Sequence, residues 1–269
     1  MNIDIEISQK FLCQKKGEDI GDCQDAICCN LQKKRFAVAD GVSSSFFPAV
    51  FSRQLTEYFC NSDDVINLEL FDQQDSWKQW LANVQEKWLE VVEQEVKQSK
   101  KYYVRNRFKS NDHAGATFVG LEFSVDDPDN LQWNAMIIGD SCLIHIDFTP
   151  EKKPQVKSYL LQQSTDFNYT PKYFPSRYIK DNPYKPDFIQ GHFSIKDRFL
   201  LTTDAISKWF LTAKENDDNR LNQIFLLNSD DIHTYREDKD LPLENDDVAI
   251  LGLKIIDAKN KSDEEISDE

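Results

Sequence analysis

The feature that most constrains this chain is a set of short apolar runs that stop or start on aspartate. Residues 36–45 read FAVADGVSSS: a run fit for a buried strand closes on Asp40-Gly41, and three serines and the pair Phe46-Phe47 follow. Similar strand-like runs cover 35–40, 116–123, 133–139, 142–148, 193–203 and 248–256. Near the start, NIDIEI alternates so that Ile3, Ile5 and Ile7 share one face. Carboxylates abut these runs at Asp40, at Asp140 in MIIGDS, at Asp204 in FLLTTD and at Asp246-Asp247 before VAILGLKI. Asp25 in CQDAICCN likewise precedes an apolar run. Each alone reads as a turn or cap residue, where aspartate is common. Acids at the ends of interior strands can also converge at one sheet edge. There they repel and resist ionisation unless a cation neutralises them. Hard cations such as Mg²⁺ and Mn²⁺ prefer oxygen ligands and need only a few carboxylates each.

Helical periodicity is confined to two main clusters. Residues 49–60 follow Pro48, which suits a first helical turn. Residues 75–98 place Trp77, Trp80, Leu81, Val84, Trp88, Val91 and Val92 on one stripe. A stripe with three tryptophans reads as the side of a helix that covers a sheet; a partner-binding face is the rarer alternative. A third helix is expected over 219–227. Residues 162–186 form a long polar and aromatic loop, and loops of that length are usually functional or flexible. The pattern predicts one α+β domain on largely antiparallel sheets over 1–258, with an acidic disordered tail at 259–269.

Composition narrows the function classes. A formal charge of −15 argues against nucleic-acid or anionic-membrane partners, which demand clustered Lys and Arg. No apolar run approaches a membrane span, and MNIDIEISQK has acids where a secretory signal needs a basic start, so a cytoplasmic protein is expected. The six cysteines show no CxxC pair and no nearby His, which predicts free thiols rather than zinc ligands or disulfides.

Taken in order, CQDA, FAVADGV, AGATFVGLEF, AMIIGDS, FLLTTDAIS and NDDVAILGL resemble the metal-dependent Ser/Thr protein phosphatases of type 2C, above all their compact bacterial branch. The resemblance runs from about Gly17 to Ile256. It implies two antiparallel sheets packed face to face with helices outside both. It also implies two divalent metals, Mn²⁺ or Mg²⁺, bridged by a water or hydroxide that attacks phosphorus directly. On this chain the resemblance makes Asp40 the bridging ligand, with the Gly41 carbonyl reaching one metal and Asp25 serving one of them. Asp204 and Asp246 complete the other shell, and Asp140 with Asp204 supports a weaker third metal. Asp40, Asp204 and Asp246 carry the catalytic role on this reading. The implied partner is a phosphorylated protein, with a protein regulator in a signalling setting.

The chain departs from the family pattern at four places. Ser43, Ser44 and Ser45 follow the bridging Asp where many members have His or Gly. Ile20 stands where many members carry a phosphate-clamping Arg. Ala205 replaces a turn Gly, and Ser207-Lys208 replaces a downstream acid. Lys208 and Arg177 are the candidate substitutes for phosphate binding. Arg105, Arg107 and Lys109 form a basic run that reads first as a solvated helix end. The leading expectation is hydrolysis of phosphoserine or phosphothreonine on proteins. The alternatives are a non-catalytic pseudophosphatase that binds a phosphoprotein or partner domain, and a phosphatase of a small metabolite.

Overall fold

The computed structural model describes residues 3–63, 76–125, 130–148, 155–167, 170–180, 184–218 and 224–258. The tail expected to be disordered lies outside them. Two antiparallel sheets form the centre. The first has five strands in the order β1 (Ile3–Cys13), β11 (Val248–Asp257), β10 (Arg198–Thr202), β6 (Cys142–Asp147) and β7 (Gln155–Tyr159). The second has six. Its order is β2 (Ala26–Asn30), β3 (Arg35–Gly41), β4 (Gly115–Ser124), β5 (Gln132–Ile138) and β9 (Asp187–His192), with the short β8 (Phe174–Pro175) on β4.

Strand periodicity sorts the side chains into layers. On β3, Phe36 and Val38 enter the core between the sheets, while Ala37 and Ala39 face the helices. On β11, Ala249, Leu251, Leu253 and Ile255 enter the same inter-sheet core, and Val248 and Ile250 face the opposite way. Strands buried on both faces read as near-continuous apolar runs, which is why 36–39 and 248–253 show so little alternation.

Helices cover both outer faces. Over the second sheet lie α1 (Pro48–Asn61), α2 (Ser76–Gln98) and α3 (Tyr102–Lys109), burying Phe51, Leu55, Phe59, Trp80 and Trp88. Over the first lie α4 (Asp204–Glu215) and α5 (Ser229–Arg236), burying Ile206, Trp209, Phe210 and Ile232. Each large buried side chain of this kind contributes roughly 1.5–3 kcal/mol. The order is thus helix, sheet, sheet, helix.

The expected stripe of α2 covers the sheet, except that Val91 faces outward at 36% exposure. Most of the helix expected over 219–227, residues 219–223, lies outside the described residues. Residues 224–226 make a short 3₁₀ turn, and a separate helix begins at Ser229, where the Asn228 side chain accepts from the N–H groups of Asp230 and Asp231. An Asx cap of that kind starts a helix by local chemistry, here one only as long as Ser229–Arg236. The run 193–203 is likewise shorter, because Asp197 accepts from the Ser194 N–H in a turn and β10 starts only at Arg198. The long loop at 162–186 includes a 3₁₀ turn, Ser164–Asp166, and the strand β8.

Candidate active site

Asp40 follows Phe36 and Val38 at the strand period, so its side chain belongs to the inter-sheet side of β3 at the point where the apolar core ends. The other acids arrive at the same edge from both sheets. Asp204 opens α4 as β10 ends, and Asp140 sits in the turn joining β5 and β6. Asp25 immediately precedes β2, and Asp246 and Asp247 precede β11. Asp40, Asp140, Asp204 and Asp246 line one cleft of about 320 Å³ together with Ser43, Thr117, Phe167, Pro171, Lys208 and Glu244.

Local chemistry fixes each position. Gly139 in the Asp140 turn has φ +91°, and a Cβ there would stand 2.5 Å from the Lys172 carbonyl oxygen. Only glycine suits that turn. A Cβ on Gly41 would lie 2.9 Å from both the Gln24 carbonyl oxygen and Pro48, so close packing of the chain already demands glycine there. Asp25 is buried and accepts the Thr203 hydroxyl proton through Oδ2 at 2.8 Å. Thr203 Oγ1 in turn accepts from the Ala249 N–H at 2.9 Å. Asp247 is a positioning residue: its two oxygens accept from the Lys15 N–H at 2.9 Å and the Gln24 N–H at 2.8 Å, pinning the loop between β1 and β2.

The electrostatics show acids held close. Burial, then repulsion from Asp140 and Asp246, pushes Asp40 up to about 7. Burial, then Asp204, pushes Asp140 up to about 7. Burial, then Asp40 and Asp246, pushes Asp204 up to about 8. Asp25 lies well above the carboxylate range through burial and Asp40, against the opposing Thr203 hydrogen bond. Such a set is short of positive charge.

One cation is already present. Lys15 reaches Asp246 Oδ1 at 2.9 Å and Ser43 Oγ at 3.0 Å, and it lowers the Asp40 pKa against the other causes. Among the described residues no group of three or more His, Cys, Asp and Glu side chains stands ready to hold a metal ion. The acids are near enough to perturb one another without forming a closed ligand shell. Two observations nevertheless fit divalent cations. Asp25 Oδ1 and Asp140 Oδ1 are buried with no hydrogen-bond partner. The donors that converge are carboxylate oxygens, the set that Mg²⁺ and Mn²⁺ take.

The remaining sequence candidates divide. Lys208 lines the cleft and pairs with Glu244 at 2.6 Å. Arg177 is not on its wall; its guanidinium stacks over Trp88 at 5.6 Å and Phe108 at 5.2 Å, on the helical face of the second sheet. Ala205 is buried in the first turn of α4 and is not among the residues with positive φ, so the replaced glycine costs no backbone strain. The six cysteines are free thiols. Sequence reasoning missed Lys15, Thr203 and Glu244 as neighbours of the acids. Lys15 carries no motif signal; Thr203, beside Asp204, could have been suspected from its position alone.

No protein-family model matches the chain, and no curated protein matches it in sequence. Solved structures do match it along nearly its whole length. PppA, a key regulatory component of T6SS in Pseudomonas aeruginosa, is 16% identical with a TM-score of 0.53, covering 95% of this chain and 99% of that one. The catalytic domain of the serine threonine protein phosphatase PstP, in complex with 2 manganese ions, is 13% identical with a TM-score of 0.51, covering 95% and 100%. The photosystem II phosphatase PBCP is 12% identical with a TM-score of 0.52, covering 94% and 98%. In fold, this chain is similar to the metal-dependent Ser/Thr protein phosphatases of type 2C.

Proposed function

We propose that this protein is a divalent-metal-dependent phosphatase that removes phosphate from phosphoserine or phosphothreonine on proteins. The observation that carries the reading is the gathering of Asp25, Asp40, Asp140, Asp204 and Asp246 at one edge of a type-2C-like sandwich, with buried carboxylate oxygens left without partners. Asp40, Asp204 and Asp246 are the residues that would hold two Mn²⁺ or Mg²⁺ ions, Asp25 would orient that set, and Asp140 with Asp204 would hold a weaker third. Cations in this cleft would supply Lewis-acid activation of water and neutralise charge on a phosphoryl group.

The chain's own groups do the rest. Asp40 and Asp204, whose pKa burial raises first and neighbouring acids second, would ionise and accept once cations neutralised the cluster. Thr203 holds Asp25 against rotation and ties it to β11. Phe167 and Pro171, from the long loop, wall the cleft. Lys208, on the cleft wall and paired with Glu244, would turn to a phosphate oxygen. The Lys15–Asp246 ion pair favours a second reading, a pseudophosphatase whose own ammonium takes the place of a metal while the fold binds a phosphoprotein.

One experiment separates the two. Turnover of a phosphothreonine peptide is measured with Mn²⁺, Mg²⁺ or chelator, beside the Asp40→Asn protein. Metal-dependent turnover that the variant loses supports the phosphatase. No turnover with either metal, with the peptide still bound, moves the reading to the pseudophosphatase. Competition between that peptide and a small phosphorylated metabolite tests the substrate class.

A further inference from the structure

The chain carries 47 acids against 32 Lys and Arg, yet residues 97–109 hold Lys97, Lys100, Lys101, Arg105, Arg107 and Lys109 with no acid among them. This segment is the end of α2, the turn after it and the whole of α3. Lys100, Lys101, Arg105 and Lys109 are exposed and have no carboxylate partner among the described residues. Two aromatic side chains stand beside them in solvent, Tyr102 at 74% exposure and Tyr103 at 58%. Cations suit the C-terminal ends of helices, but a solvated helix end has no need of exposed tyrosines. Clustered cations with exposed tyrosines are the composition of a recognition surface.

The surface has relief. A cavity of about 430 Å³ opens between α2, α3 and the loop after β3, lined by Phe46, Phe47, Lys101, Tyr103, Val104 and Arg107, with one carboxylate, Glu95, on its wall. Arg107 braces it: the guanidinium stacks 5.1 Å over Phe46, pairs with Asp112, and donates to the Ser44 carbonyl at 3.2 Å. Ser44 is next to Ser43, which lines the acid cleft. The Phe46 N–H donates to the His113 carbonyl at 2.9 Å, tying the same loop to the segment between α3 and β4. The basic surface and the acid cleft are therefore two sides of one short loop, 42–47.

We propose that α3 and its flanks are a docking surface for an acidic segment of the protein substrate. Charge selects the occupant: with a net −15, the rest of this chain repels an acidic partner, and this face is where such a partner meets cations. Acidic side chains pair with Lys100, Lys101, Arg105 and Lys109, and an apolar neighbour enters the cavity against Phe46 and Tyr103. The phosphorylated residue of the same substrate then reaches the cleft across the 42–47 loop. That last step rests on the phosphatase reading; the docking does not.

The test uses fluorescence anisotropy in chelator, so that no turnover is needed. The probes are two labelled peptides of equal length, one carrying four glutamates beside a leucine and a threonine, the other with glutamine at those four places. The full chain is expected to bind the glutamate peptide and to lose it with rising salt. The glutamine peptide, and the Lys100→Glu/Lys101→Glu/Arg105→Glu protein with the glutamate peptide, are expected to bind about tenfold or more weakly. Circular dichroism and the melting temperature of the variant check that its overall fold is intact. Equal binding of both peptides, binding by the variant at the wild-type level, or a single-stranded oligonucleotide of matched charge binding more tightly than the peptide would each overturn the proposal. Phosphothreonine versions with Mn²⁺ then read kcat/KM: binding without turnover rejects the phosphatase reading and leaves the docking surface standing.

Discussion

Lys15 Nζ lies 2.9 Å from Asp246 Oδ1, so a side chain from the loop after β1 supplies positive charge to an acid cluster gathered from the whole length of the chain. The pair is partly buried, with the two side chains 19% and 42% exposed. A fixed ammonium at that place competes with any divalent cation for Asp246. Replacing Lys15 with methionine keeps most of the stem and removes the charge. Titration calorimetry with Mn²⁺ is expected to show binding tighter by on the order of tenfold. Unchanged or weaker binding would mean that Lys15 works with the cation rather than against it.

Asp40 gives a pH dependence with a definite sign. Its folded pKa is about 7, above the ordinary 3.8, so protonation stabilises the metal-free fold. That contribution is complete below pH 3.8 and is lost as pH rises to about 7. Asp40→Asn has no proton to lose. In chelator, the melting temperature of the variant relative to wild type is expected to climb between pH 4 and about 7 and then level off. A difference that stays flat across this window would contradict the burial and repulsion assigned to Asp40. Metal-dependent turnover is expected to vanish in the same variant.

Asp247 anchors two backbone N–H groups while itself 2% exposed. Asp247→Ala leaves both donors unpaired, at a cost of roughly 1–3 kcal/mol in chemical denaturation. Limited proteolysis is expected to cut the loop between β1 and β2 first. A variant as stable and as resistant as wild type would show that water replaces the carboxylate without loss.

The thiols are expected to react unequally. Hydrogen bonds from Cys60 and Asn61 bring Cys28 down to about 7, against an opposing burial effect. Burial pushes Cys29 up to about 11 and Cys142 up to about 12. Thiolate fraction governs alkylation, so iodoacetamide at neutral pH is expected to label Cys28 first in a peptide map. Earlier labelling of Cys13, whose pKa burial raises, would reverse that order.

Much of this arrangement was legible in the residues, for reasons that differ by place. The strands at 35–40 and 248–256 announced themselves because both faces are apolar, and their acids marked where the sandwich ends. The stripe of α2 was legible for the opposite reason, one apolar face at helical spacing, with Val91 outward because it falls at the margin of the buried arc. The start of α5 was not, since a local Asx cap at Asn228 decides it rather than periodicity. Lys15 and Arg177 mark the limit of such reading. A long flexible cation goes wherever tertiary packing offers it a carboxylate or an aromatic face, and no spacing in the sequence encodes that choice.

Thr203 directly follows a strand of the first sheet, and Asp25 directly precedes one of the second, so the 2.8 Å bond between them crosses the sandwich. The cleft is thereby made a gauge of how the two sheets sit on one another. A slip of an ångström between them, from a cavity cut at Phe199 or Leu251 deep in the shared core, would part this bond before it unfolded anything. Substitutions far from the acids would then register as lost metal affinity at full secondary structure, a defect of alignment rather than of chemistry.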